Sequence, residues 1–213
     1  MDLHDTVSEI RSSEMRANLG VVETQRVIRE ALNNVESRID RWFDAPSKLF
    51  YDRPADGSWS IAENLEHISL TNHFLLKIIS RHVARAVEKA ASGAEPQDFT
   101  DNLDKVEQIR DRASFNWKNP THMTPMGKTD LSEVRSLLRT QFEKCKEFMD
   151  QMPNGEGYLV RVNMTVNNLG KINMYEWIYF LVQHAMRHED KLSSVVGGLN
   201  QLQLAKLPKQ EGM

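Results

Sequence analysis

The sequence predicts an all-α protein: a four-helix bundle with an extra N-terminal helix and a long connection between its second and third helices. Three observations predict it. Apolar residues recur at spacings of three and four through most of the 213 residues, the period of a helix with one buried face. Two patterns, Ser60 to Glu63 and Asn173 to Glu176, mark helix starts. No internal repeat, low-complexity tract or interdomain linker divides the chain, so the helices are expected to share one core.

Residues 1–20 read as an N-terminal helical extension, with Leu3, Val7, Ile10 and Met15 on a weak face. The bundle is placed at 21–198 and a C-terminal tail at 199–213. The first bundle helix spans about 21–46, its stripe being Val27, Ile28, Ala31, Leu32, Val35, Ile39, Trp42 and Phe43. Two prolines and a glycine break the pattern over 44–60. The second begins at the Ser60/Glu63 capping box, where each side chain satisfies a free backbone N–H of the first turn. Ile61, Leu65, Ile68, Leu75, Ile79, Val83 and Ala86 carry it to about 90. Residues 91–129 form the long connection, with a short helix at 101–114 and the irregular "WKNPTHMTPMGKTD". A connection of that length is either functional or packed over something. The third helix starts near Thr129 or Asp130, with Glu133 placed to complete a cap, and its stripe runs Leu131, Val134, Leu138, Phe142, Cys145, Met149. After "PNGEG", residues 158–166 alternate weakly and suit a short extended piece. The last helix follows Gly170, is capped by Asn173 and Glu176, and is expected to stop at Gly197-Gly198. That is about 24 residues, roughly 36 Å at 1.5 Å per residue.

Composition narrows the function. A net charge of −3 and a pI near 6.2 give no nucleic-acid footprint. The longest apolar runs are a few residues, far short of the roughly 20 that span a bilayer. The N-terminus is polar and mixed in charge, unlike a secretory signal. A single cysteine, Cys145, excludes an intrachain disulfide and fits a reducing compartment. The expectation is a cytoplasmic protein.

Seven histidines carry the chemical signal. His184 and His188 are four apart, one turn apart on one helix face, and two imidazoles so placed can grip one metal ion. Helical histidines are also often surface or satisfied core residues. Ala185 follows His184, so the zincin His-Glu-x-x-His pattern is excluded. Asn64, Leu181 and Ala185 stand three before His67, His184 and His188, so a di-iron Glu-x-x-His site is excluded too. His67 is the best candidate for a third ligand. His73 lies about 120° away on the wheel, and His82 is roughly 22 Å further along the axis. His122, in the connection, could reach in; His4 is expected to face solvent.

"GSWSIAENLEHISLTNHF" (57–74) and "NNLGKINMYEWIYFLVQHAMRHEDKL" (167–192) resemble the two signature segments of the DinB-like (DinB/YfiT-like) superfamily. Trp59, Ser60 and His67 match the first motif. Gly170, Tyr175, Glu176, Trp177, His184, Arg187 and His188 match the second. "THMTPMGK" resembles the stretch that often precedes the family's third helix. The resemblance covers about 22–196. It implies a four-helix bundle in which His67, His184 and His188 bind one divalent metal ion, usually zinc or nickel. Many relatives are homodimers. Characterised ones include enzymes that join low-molecular-weight thiols to electrophiles, so a small-molecule substrate, a thiol among them, is the implied partner. Many relatives carry a histidine-proline pair near Asn167-Asn168, where this chain departs from the pattern.

Three neutral imidazoles leave a divalent ion its full charge, which lowers the pKa of a water or thiol at an open position. The ligand set does not choose between them. The first reading is therefore a metal-dependent enzyme, thiol S-transferase-like or hydrolase-like. The alternative is a non-catalytic metal-binding or stress-associated interaction protein. In a third reading the histidines pair through hydrogen bonds without metal. Glu63 is the only carboxylate near the histidine face and is expected to be taken by its cap. Glu66, Glu189 and Asp190 read as solvated charges. Arg187 reads as an ion-pair or outer contact, and Gln183 as a support beside His184. Cys145 reads as a small core residue, Trp59 and Trp177 as packing anchors. Tyr175 and Tyr179 could place hydroxyls near the pocket.

Overall fold

A computed structural model describes residues 3–45, 50–54, 56–113 and 120–205, with side-chain environments given between 20 and 193. Four long helices dominate: α1 (Leu3–Asp40), α2 (Ile61–Ala91), α4 (Leu131–Asp150) and α5 (Met174–Ala205), with a short α3 (Leu103–Glu107) in the connection. A two-stranded hairpin, β1 (Arg161–Met164) and β2 (Gly170–Asn173), stands before α5. α2 packs on α4 and α5, and α1 on the same two. Their facing stripes make one core that includes Ile28, Leu32, Ile68, Ile79, Leu138, Phe142 and Phe180, each essentially solvent-free. Each such side chain contributes about 1.5–3 kcal/mol by leaving water. Among the described residues, no helix is long and apolar enough to cross a membrane.

Three sequence expectations change. The N-terminal extension is not a separate helix, because α1 runs unbroken through Gly20. A lone glycine costs a helix about 1 kcal/mol but does not end it, and Val21, Thr24 and Ile28 continue the buried stripe beyond it. The environment of His4 lies outside the described side chains. α5 likewise passes through Gly197-Gly198 to Ala205; glycine ends a helix only where the chain also leaves the helical path there. The helix expected at 101–114 shrinks to α3. After Glu107 the chain closes on i−3 hydrogen bonds, from Ile109 N to Val106 O and Arg110 N to Glu107 O, while Val106 and Ile109 insert into the core.

Of the extended piece expected at 158–166 only β1 is strand, since Tyr158 and Leu159 end a 3-10 turn and Val166 begins another; its partner is β2, in antiparallel register from Arg161↔Asn173 to Met164↔Gly170. Four residues abutting a helix are too few to show alternation, so β2 was not visible in the pattern. Asn167 and Asn168 turn the chain with φ of 48° and 50°, a region asparagine tolerates better than most residues. The hairpin delivers Asn173 to the start of α5. Asn173 N donates to Glu176 Oε2 (2.6 Å) and Glu176 N donates to Asn173 Oδ1 (3.0 Å), the reciprocal cap that the sequence predicts. Glu176 also accepts from Asn102 N at 2.7 Å, so this cap ties the connection to α5.

Gly157 is required by packing. A Cβ there would sit 2.6 Å from the Tyr175 ring, which is fully buried and donates its hydroxyl to Met152 O at 2.5 Å. Gly157→Ala is expected to destabilise the fold by about 1–3 kcal/mol. Gly20→Ala, with nothing within 4 Å, should instead stabilise by up to about 1 kcal/mol. Urea unfolding of both variants checks the pair, and equal effects would refute this packing argument.

Candidate metal centre

The Ser60/Glu63 capping box forms as predicted, with Ser60 N donating to Glu63 Oε2 (2.9 Å) and Glu63 N donating to Ser60 Oγ (3.2 Å). It fixes the first turns of α2 and so the height of His67. Opposite, α5 presents His184 and His188 one turn apart. The three imidazoles meet between these helices. Their ring centroids are 5.3 Å (His67 to His184), 4.5 Å (His67 to His188) and 4.7 Å (His184 to His188) apart. One ring nitrogen from each lies within 4.8 Å of the others, so the three could hold a metal ion. His67 and His184 are 2% and 1% exposed, and His188 is partly open.

The surroundings set the tautomers. His67 Nδ1 lies 2.7 Å from Met123 O. A carbonyl only accepts, so Nδ1 carries the proton and Nε2 the lone pair. His188 Nδ1 lies 3.2 Å from Asn64 Oδ1. The Asn64 amide is oriented by its own donor, since Nδ2 donates to Trp59 O (3.0 Å) and Ser60 O (2.8 Å). The carbonyl end therefore faces His188, and its Nε2 keeps the lone pair. Metal-binding histidines are held in this way, by an acceptor on the far nitrogen. Burial pushes the imidazoles down, His184 and His188 well below the ordinary histidine range, with neighbouring positive charge adding to it. They are thus held neutral, the form that binds metal.

A cavity of about 290 Å³ opens beside them, walled by Trp59, Thr71 and Met123. Trp59 packs on His67 (4.7 Å between centroids) and stacks near His188 (6.2 Å), so it shapes the site as well as anchoring the turn. The connection reaches the site through the Met123 carbonyl rather than through an imidazole. His122 packs on Phe74 at the surface, His73 is exposed and His82 lies elsewhere on α2.

Glu66 is not solvated. It is 5% exposed and accepts from Met126 N (3.1 Å), Gly127 N (2.6 Å) and Thr129 Oγ1 (2.7 Å). This clamps the segment that carries Met123 onto α2. Glu63 is held by its cap and by Arg53. Glu189 is buried, paired with Arg38 and accepting from Trp42 Nε1 at 3.3 Å; Asp190 pairs with Arg38 and Arg110. A charge in an apolar stripe had no visible partner in the sequence because the partners lie on and just beyond α1, and after α3. Arg187 reaches Ile109 O (3.3 Å) and Asp111 O (2.5 Å) and lines the cavity. Gln183, Tyr175 and Tyr179 are buried but do not line it. Trp177 is a packing anchor against Phe180, its indole N–H donating to Val162 O at 3.4 Å. Cys145 is a core residue whose thiol burial pushes up to about 12, which leaves it inert.

The model of the DinB superfamily matches residues 24–189. The chain belongs to the DinB superfamily. The match takes in both histidine-bearing helices and the connection between them. No match was found among curated proteins or among solved structures. For this DinB-superfamily chain, Asn64 is the support that sequence reasoning missed; its signal was a polar residue three before His67, on the buried side of a capped helix. Asn64→Ala is expected to lower divalent-metal affinity about 10–100-fold, the usual effect of losing an outer partner of a ligand. Competition with a chromogenic chelator measures it, and unchanged affinity would remove Asn64 from the site.

Proposed function

We propose that His67, His184 and His188 hold one divalent metal ion, zinc or nickel, and that this protein is a metal-dependent enzyme acting on a small molecule, as a thiol S-transferase. The observation that carries this reading is the convergence of three neutral imidazoles, two with their tautomers set by outer acceptors, on a cavity that reaches the surface beside Arg112 and Pro120. Imidazole suits zinc and nickel, and the four long helices are read as the family's bundle. The ion would supply Lewis acidity, lowering the pKa of a thiol taken into the cavity. The chain's own residues hold the ligands neutral, exclude water with Trp59 and Met123, and bind the substrate.

A hydrolase is the weaker form of this proposal. Water needs a general base more than a thiol does, and among the described residues no carboxylate lines the cavity. That same absence favours, as the second reading, a non-catalytic metal-binding protein. Metal analysis of protein purified without an affinity tag tests the site, with about one equivalent expected. No stoichiometric metal would sink it. A screen of low-molecular-weight thiols against a generic electrophile then tests catalysis. Metal-dependent conjugation supports the transferase, and its absence across the thiols supports the second reading.

A further inference from the structure

The mouth of the histidine cavity has one sign of charge. Arg112, Arg187 and Lys191 line it, and among the described residues no aspartate or glutamate does. Two of these cations are placed by different contacts. Arg187 is aimed by the backbone carbonyls of Ile109 and Asp111. Lys191 lies one turn beyond His188 with its ammonium 5.3 Å from the Trp59 ring centroid, a cation–π contact that holds it over the site. Arg112 comes from the connection and is exposed. The acids acting on these groups, Asp56 and Glu63 on Lys191 and Asp111 on Arg187, stand outside the lining. Burial and then the Arg112 charge depress both Lys191 and Arg187, as expected of like charges gathered around one space. Such gathering is unfavourable for the fold alone, and a bound anion offsets it.

We propose that the cavity recognises a small anionic molecule, whose carboxylate or phosphate group docks on Arg112, Arg187 and Lys191 while its remainder reaches the three histidines. The inference rests on the reading of this cavity as a ligand site and names its substrate class. Two guanidinium forks and an ammonium match the oxygens of such a group. The volume of about 290 Å³ admits only a small one.

Calorimetric titration of the full-length protein, zinc-loaded and zinc-free, tests it with three probes: succinate, its neutral analogue succinamide, and inorganic phosphate. Succinate or phosphate should bind and succinamide should not; which anion binds more tightly tells the two sources apart. Arg112→Gln and Lys191→Gln should each weaken binding about 10-fold or more, and Lys191→Arg should keep it. Melting curves confirm that the variants are folded. Binding by zinc-free protein that is lost in the variants supports the inference even where the metal reading fails. Equal binding of succinamide overturns it. Anion binding that needs zinc and ignores Arg112→Gln and Lys191→Gln also overturns it, because the oxygen then sits on the metal.

Discussion

His184→Ala is expected to lower divalent-metal affinity by more than about 100-fold, beyond the range for losing an outer support. His184 is the most enclosed of the three, 1% exposed, and its ring lies 5.3 Å and 4.7 Å from the other two. With it gone, two imidazoles remain, and among the described residues no carboxylate lines the cavity to take its place. His188→Ala, at the more open end of the site, should show the same loss with less disturbance of the core. Metal content by mass spectrometry, with melting curves beside it, checks both. Retention of a full equivalent by folded His184→Ala and His188→Ala proteins would place the metal elsewhere or nowhere.

The second large effect is acid sensitivity of the metal-free fold. Burial holds His67, His184 and His188 below their ordinary pKa, the latter two well below. A depressed histidine in the folded state takes up its proton at lower pH than in the unfolded chain. The unfolded state therefore binds more protons as pH falls below about 6.5, and stability rises with pH through that window. The contribution is complete above about 6.5 and is lost on acidification. Each histidine that stays neutral in the fold costs up to about 1.4 kcal/mol at pH 5.5 relative to neutrality. Glu176 works in the opposite sense, since burial raises its carboxyl. Urea midpoints of zinc-free protein at pH 7.5, 6.5 and 5.5 should fall in that order, and His184→Gln should flatten the trend. A flat series for the unsubstituted protein would mean that the imidazoles are not held neutral.

Much of the site was legible because its signals are local. The stripe of α2, its Ser60/Glu63 cap and the four-residue spacing of His184 and His188 are each carried by residues close together in the chain. Glu66 and Glu189 were misread for the complementary reason. Each looks like a surface charge until the segment that satisfies it is present: Met126 to Thr129 for Glu66, and Arg38 with Trp42 for Glu189. The continuity of α1 through Gly20 was also not readable, because the packing of Val21, Thr24 and Ile28 outweighs a propensity cost of about 1 kcal/mol.

By itself the sequence determined the apolar stripes of the long helices, the caps that start α2 and α5 and the placement of three histidines on those two helices, because periods of 3.6 residues and capping patterns act over one or two turns. Only the tertiary structure decided how those histidines are held and what surrounds them. The acceptor for His67 lies 56 residues away and the partner of His188 lies 124 residues away. Arg112 joins Arg187 and Lys191 only when the connection folds over α5. Contacts at that separation exist only when the chain has closed on itself, so no local pattern of residues can carry them.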